Sequence, residues 1–258
     1  MSQEERPAPS AAHAAVVIPA AGRGVRLGPG APKALRTLGG TPMLIHAVRA
    51  MAASRHVSLV VVVAPPEGVA EVRSLLDSHA LPGGTPGGGR ASTELLVVAG
   101  GETRQESVRL GLEALPDGHE VVLVHDAARP LVPVDTVDTV IEAVRDGAPA
   151  VVPALPLADT VKEVEPAAVA GVPEPVVATP ERARLRAVQT PQGFDRTALL
   201  RAHKEVDGEV TDDASMVERL GLRVVTVPGH EEAFKVTRPL DLVLAEAVLA
   251  RRRRNDGF

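Results

Sequence analysis

The 258-residue chain has no cysteine, no tryptophan, no tyrosine and only three phenylalanines. Without thiols it can form no disulfide, no cysteine nucleophile and no cysteine-ligated zinc, a composition that suits a cytoplasmic protein. So few aromatic rings leave almost nothing on which single-stranded nucleic acid could stack. The net charge of −5 exerts no general pull on nucleic acid either. No apolar run reaches the length of a membrane span, and Ala/Pro-rich residues 1–13 lack the basic-then-apolar order of a secretory signal. That segment reads as a disordered tail. Lysine is scarce as well: Lys33, Lys162, Lys204 and Lys235 stand against 24 arginines. Each ammonium is therefore informative, because it is a compact point charge and not a guanidinium fork.

What is present is an alternation of short β-branched runs with helical periodicity, which predicts an α/β protein with a mainly parallel sheet. Strands are expected at 14–20, 57–64, 94–100, 120–127, 148–155 and 222–227, with a short one at 233–237. Helices are expected from Thr41 (as N-cap, with Pro42 at the first helical position), over "PEGVAEVRSLLDSH", and at 104–115, 133–145, 196–204, 212–220 and 239–250. The stretch "LPGGTPGGGRAST" (81–93) reads as a flexible, tolerated insertion. Proline scattered through short alternating runs makes 156–185 an irregular β-arm leaving the main sheet. The terminal "RRRR" (251–254) reads as a basic tail complementing a helix C-terminus in solvent. There is no internal repeat.

Three loops carry unusual chemistry, and each follows the carboxyl end of a strand expected to be parallel: "PAAGRGVRLG", "GGETRQES" and "HDAARP". In an open α/β sheet those ends share one edge, where ligands bind. The first loop spaces Gly22, Gly24 and Gly28 as G-x-G-x-x-x-G, which is not the dinucleotide fingerprint, and Pro29 and Pro32 forbid a helix starting directly. Lys33 is followed by Ala34, so it is not a P-loop lysine either. What remains is an extended loop whose backbone N–H groups, with Arg23, Arg26 and Lys33, suit a phosphate; the plain alternative is a turn with solvated arginines. Asp126 in "HDAARP" reads as a magnesium or ribose contact, or as a loop cap. His125 beside it is as well suited to orienting that loop as to catalysis. Glu102 and Ser107 serve as cap or ligand, and Thr211 of "TDDASMVERLG" caps a helix with two acids in its first turn. Lys235, within apolar "AFKVT", needs an anionic partner.

Taken in order, "PAAGRGVRLG…PKAL", "GGETRQESV", "HDAARP", "DTVK", "TPQGF", "TDDAS" and "KVTRP" resemble the 2-C-methyl-D-erythritol 4-phosphate cytidylyltransferase family over about residues 14–250. Seven motifs in sequence are specific where any one would be weak. The resemblance implies a three-layer, Rossmann-like nucleotidyltransferase domain over 14–250. It implies an arm at 155–185 that interlocks two subunits; residues 251–258, beyond the resemblance, read as a basic tail. It implies the reaction of CTP with methylerythritol phosphate, giving CDP-methylerythritol and pyrophosphate with Mg²⁺, and no nucleic-acid or membrane partner. Carried onto this sequence, Arg26 and Lys33 would stabilise charge at the α-phosphate. Pro19, Ala20, Ala21, Gly22 and Gly24 would line the triphosphate and base side, and Gly101 and Ser107 would hold cytosine and ribose. Asp126, Ala127 and Arg129 would bridge nucleotide and acceptor, with Asp126 the one candidate metal contact. Thr160 and Arg182 would reach from the arm into the partner's site. Thr190, Thr211 and Lys235 would complete the acceptor pocket, Arg182 and Lys235 positioning the attacking phosphate. Glu102 departs from the aspartate usual in such proteins, and the 81–93 loop is long. A cytidylyltransferase for another polyol phosphate, such as ribitol 5-phosphate, would share the CTP motifs; a nucleotide-binding module without catalysis would not need Arg26, Lys33, Arg182 and Lys235 together.

Overall fold

The first apolar run, AAVVIP, has no polar side chain, and such a strand is stable only inside a sheet covered on both faces. In the computed structural model, which describes residues 13–22, 33–81, 93–169, 171–208 and 210–255, it is β1 (Ala14–Pro19). Along the chain follow β2 (Thr37–Leu38), β3 (Thr41–Pro42), α1 (Met43–Ala52), β4 (Val57–Ala64), α2 (Val69–Asp77), β5 (Glu94–Ala99) and α3 (Arg104–Glu113). Next come β6 (Val121–Val124), α4 (Val134–Arg145), β7 (Ala150–Pro156), β8 (Glu163–Val164), β9 (Val176–Ala178), β10 (Arg186–Val188) and β11 (Gln192–Asp195). The remainder is α5 (Arg196–Glu205), α6 (Asp213–Arg219), β12 (Val224–Pro228) and α7 (Pro239–Asn255).

β1 lies between β4 and β6, parallel to both, with β5 parallel outside β4. Successive β1 side chains point to opposite faces. Ala14, Val16 and Ile18 join a core with α1, α2 and α4; Ala15 and Val17 join a second core with α3, α5 and α6. Helices therefore cover both faces of a mainly parallel sheet. Nearly every residue of β1, β4 and β6 is buried, so the strand ends, and not their sides, meet solvent.

Several local expectations are corrected. β11 and β10 lie where no strand was expected: β11 runs antiparallel between β6 and β7, and β10 pairs antiparallel with the far end of β7. The sequence QGFD hides β11 because it has no β-branched residue. Its Gly193 is needed by close packing, since a Cβ there would lie 2.4 Å from Val140 Cγ1. Thr41 and Pro42 do not begin the first helix. They close a hairpin with Thr37 and Leu38 across Gly39 and Gly40, both at positive φ, and α1 starts at Met43 without a side-chain cap. The apolar stretch at 233–237 is not a strand: Ala233 ends a 3₁₀ turn, Glu231–Ala233, and the residues after it carry no regular structure, with Val236 N bonded to Ala128 O at 2.8 Å. The last helix does not stop at 250 but takes in Arg251–Arg254; Arg251 and Arg252 grip Glu232, and Arg252 also donates to Leu131 O at 2.7 Å. Within 155–185, β8 and β9 pair only with each other, apart from the main sheet. Residues 1–12, 82–92 and 256–258, expected as tails and as an insertion, lie outside the described residues.

Replacing Gly193 by alanine forces a methyl between Val140, Val144 and Leu123. We expect about 1–3 kcal/mol of destabilisation, seen as a Tm lower by roughly 2–10 °C in a thermal melt. An unchanged Tm would mean that α4 yields without strain.

Candidate active site

Because β1, β5 and β6 are parallel, the loops after their carboxyl ends meet at one sheet edge. There a cleft of about 260 Å³ is lined by Pro19–Gly22 after β1, Gly101–Arg104 after β5, Ser107 on α3, Asp126–Ala128 after β6, and Lys235 from far along the chain. Segments separated by more than two hundred residues thus converge, as the placement of the motifs requires.

Asp126 is the hub. Its Oδ2 is 2.8 Å from Lys235 Nζ and its Oδ1 is 3.5 Å from Arg104 Nε, with Arg129 Nε at 3.9 Å. Burial on its own would raise the carboxyl pKa, but the Arg104, Lys235 and Arg129 cations outweigh it and hold the group far below the usual carboxylate range. It is therefore ionised at neutral pH. Lys235 reaches the cleft because Ala233 and Val236 on either side of it are fully buried, fixing the chain while the ammonium stays partly exposed at 39%. The anionic partner expected for this lysine is therefore Asp126.

Arg104, which sequence reasoning missed, ties this cluster to a second one. Its guanidinium also donates to Asp213 Oδ2 at 2.8 Å, and Asp213 Oδ1 meets His203 Nε2 at 3.0 Å. Asp213 is almost wholly buried. Desolvation opposes its charge, yet the His203 hydrogen bond and the Arg104 charge prevail and depress its pKa. The same two carboxylates raise the Arg104 pKa against the opposing effect of burial. Arg104 stands at the first position of α3, whose N-cap is Thr103. Thr103 Oγ1 accepts from Glu106 N at 3.0 Å, and Glu106 Oε2 accepts from Glu102 N at 2.9 Å. The cap is Thr103, and neither Glu102 nor Ser107. Ser107 Oγ instead accepts from Gly101 N at 3.2 Å, and Glu102 lines the cleft. Thr211 is likewise not the cap of its helix. Asp212 is, accepting from Ser215 N at 3.0 Å, while Thr211 Oγ1 meets Ser215 Oγ.

His125 is wholly buried, and burial pushes its pKa down to about 4. The hydrogen-bond network assigns the tautomer. Nε2 lies 3.2 Å from the Arg129 carbonyl, which can only accept, so Nε2 carries the proton. Nδ1 then accepts from Thr190 Oγ1 at 3.0 Å, while that hydroxyl accepts from Asp126 N at 3.1 Å. This neutral imidazole braces the Asp126 loop and has no free proton site to offer a substrate.

Of the residues singled out from sequence, Pro19, Ala20, Ala21, Gly22, Gly101, Ser107, Asp126, Ala127 and Lys235 line one cleft. Arg129 and Thr190 stand behind it: Arg129 donates to Ala233 O at 2.7 Å and Val188 O at 3.3 Å. Thr211 lies at the head of α6, outside the lining. Thr160 and Arg182 are exposed on the arm, with Arg182 bonded to Ala158 O. Gly24, Arg26 and the Lys33 side chain lie outside the described residues; the backbone of Lys33 opens a 3₁₀ turn, Lys33–Leu35, whose Ala34 lines the cleft. Among the described residues no group of three or more His, Cys, Asp or Glu could cage a metal ion. Asp126 and Glu102 are the carboxylates that line the cleft, too few to cage magnesium by themselves, so a bound ion would take most of its oxygen ligands from the nucleotide.

A family model described as 2-C-methyl-D-erythritol 4-phosphate cytidylyltransferase matches residues 14–251. The chain belongs to this family. It is 80% identical over 258 residues, all of both chains, to the cytidylyltransferase of that name from Streptomyces avermitilis. It is 55% identical to that from Frankia casuarinae, covering 92% of this chain and 81% of the relative. Among solved structures, the cytidylyltransferase from Thermus thermophilus matches with a TM-score of 0.66 at 37% identity, over 92% of this chain and 98% of that one. The 4-diphosphocytidyl-2C-methyl-D-erythritol synthase from Anaerococcus prevotii matches with a TM-score of 0.75 at 25% identity, over 93% of this chain and all of that one. The sheet seen here is thus of the nucleotidyltransferase type seen in these relatives.

Asp213→Asn removes the charge that faces Arg104 and His203. We expect a loss of about 1–3 kcal/mol, below the full figure for a buried pair because the Arg104 side chain is one-third exposed. A carboxyl whose folded pKa is depressed stabilises above its unfolded value of about 3.9 and loses that contribution as pH falls further. The Tm gap between wild type and D213N is therefore present at neutral pH and closes in solution more acid than about pH 4. A gap absent at neutral pH would contradict the pairing.

Proposed function

We propose that this cleft transfers CMP from CTP to 2-C-methyl-D-erythritol 4-phosphate, giving CDP-methylerythritol and pyrophosphate, as the family membership indicates. The observation that carries the reading is a cleft whose two lining cations, Arg104 and Lys235, are held in place by Asp126, with the adjacent histidine committed within the protein. Three neighbouring cations hold the Asp126 carboxylate ionised well below its usual range, and His125 beside it is neutral and bonded at both ring nitrogens. A phosphate monoester suits such a site, since its second pKa is about 6 and it reaches the enzyme already largely ionised. An acceptor phosphate oxygen attacks the α-phosphorus, the bond to the bridging oxygen breaks, and pyrophosphate leaves with the electron pair. No proton need be removed. The obstacle is repulsion between two anions, which positioned cations screen while they hold the groups in line.

In this reading Pro19, Ala20, Ala21, Gly22, Gly24, Gly101 and Ser107 hold the nucleotide, and Arg26 and Lys33 stabilise the α-phosphate. Lys235 meets the acceptor phosphate, and Asp126 sets the position of that ammonium. Asp126 and the nucleotide phosphates would hold magnesium, which when bound neutralises triphosphate charge. Ala127, Arg129, Thr190 and Thr211 shape the acceptor side. The arm hairpin exposes Val169, Val172, Val176 and Val177, and a lone two-stranded hairpin is marginal by itself. A second copy of the chain covers it, bringing Thr160 and Arg182 to the partner's cleft in a cytoplasmic homodimer. Among the described residues no helix is long and apolar enough to cross a membrane.

The test is pyrophosphate release with each nucleoside triphosphate, with methylerythritol phosphate and then ribitol 5-phosphate as acceptor. Release only with CTP and the first acceptor is expected. Comparable turnover with ribitol phosphate would transfer the enzyme to another polyol phosphate, and binding without release would make it a nucleotide-binding module.

A further inference from the structure

Lys235 is carried by a strap, residues 229–237, that crosses the end of the sheet between β12 and α7. The strap has no strand partner among the described residues; it contains the 3₁₀ turn Glu231–Ala233, is gripped at Glu232 by Arg251 and Arg252, and is otherwise placed by individual hydrogen bonds. Val236 N reaches Ala128 O at 2.8 Å and Arg129 reaches Ala233 O at 2.7 Å, both from the Asp126 loop. A further tie comes from the other side of the strap, from Gln189. Its amide faces the His230 backbone in a two-way pair: Nε2 donates to His230 O at 2.9 Å and Oε1 accepts from His230 N at 3.0 Å. The Gln189 side chain thus takes the place of a neighbouring strand. Its own backbone is fixed to β7 through Gln189 N to Pro153 O, 2.8 Å, and Gly229 N bonds to Ala154 O on the same strand at 2.9 Å. The crossing is so close that a Cβ on Gly229 would lie 2.5 Å from Gln189 Oε1 and 3.1 Å from the Ala154 backbone.

We infer that Gln189 is a positioning residue for the transfer reaction, holding the strap so that the Lys235 ammonium stands 2.8 Å from Asp126 and faces the cleft. Gln189 is buried whereas His230 is exposed, and the two bonds between them are part-buried, so water could replace them only in part once the amide is removed. What water cannot supply is a fixed location. A displacement of about 1 Å in a group that meets a reacting phosphate is enough to cost on the order of a hundredfold in rate. Gln189 also directly follows β10, the strand at the base of the arm, so the same side chain links arm and lysine. The inference rests on the reading of Lys235 given above.

The experiment is a double-mutant cycle between Gln189→Met, which keeps side-chain volume but removes both hydrogen bonds, and Lys235→Ala. Steady-state kinetics with CTP and methylerythritol phosphate are followed with a thermal melt of each variant. Expected for Q189M alone is a fall of about 10- to 100-fold in kcat/KM for the acceptor, with the KM for CTP within twofold of wild type and Tm close to it. In the K235A background the same change costs less than twofold, because no ammonium is left to misplace. Equal, multiplying losses in both backgrounds would overturn the inference, as would full activity of Q189M or a loss matched by a collapse in Tm. If Q189M unfolds, Gln189→Glu is used in its place; it keeps one bond, turns the other into repulsion of the His230 carbonyl, and is judged by the same ratio. The K235A single variant separates the two claims: full activity there would sink the role of Lys235 itself, whereas impaired K235A with multiplying Q189M losses would sink only the positioning role.

Discussion

A single negative charge organises the candidate active site. Asp126 sits at the end of a strand that is buried on every side, where an unpaired carboxylate would be costly. Three cations converge on it from three different parts of the chain: Arg104 at the head of α3, Arg129 three residues on, and Lys235 on the strap before α7. Because Arg104 is shared with Asp213, and Asp213 with His203, the charge at the cleft is continuous with a buried polar network beneath α5 and α6. Asp126 and Asp213 are the buried members, and each stays charged only because cations from elsewhere in the chain reach it.

The chemistry follows from what this arrangement can and cannot do. Asp126 cannot act as a base at ordinary pH, since protonating it would require separating it from its cations. His125 cannot either, because its one lone pair and its one proton are both committed within the protein. What the cleft offers is two cations, Arg104 and Lys235, fixed in position at a sheet edge. That suits a reaction whose nucleophile arrives ionised and whose difficulty is electrostatic, the transfer of a nucleotidyl group to a phosphate monoester.

Much of this was legible in the sequence because the strands before the three loops are runs rich in valine, and a parallel sheet forces their carboxyl ends together. The cleft could be located from "PAAG", "GGET" and "HDAA" before any coordinates. Lys235 was flagged by elementary electrostatics, a charge within AFKVT, although the strand expected around it does not form. β11 escaped notice because QGFD carries little β propensity; it is a strand only because β6 and β7 leave a gap that Gly193 fills without touching α4. Arg104 escaped because one arginine among 24 carries no signal; only the fold puts Asp126 and Asp213 on either side of it. Thr190 was assigned to the acceptor side, but the local motif gave no sign that its hydroxyl is used in bracing His125 and Asp126.

The central claim is that the acceptor, and no group of the protein, supplies the ionisation on which turnover depends. The pH dependence of kcat/KM tests it most directly, measured with methylerythritol phosphate and again with an acceptor analogue in which a phosphonate of higher second pKa replaces the phosphate. The acid limb should fall near about pH 6 with the phosphate and move upward with the phosphonate. A limb that stays in place when the acceptor is changed would mean that a side chain of the protein acts as the base, and the account would be wrong.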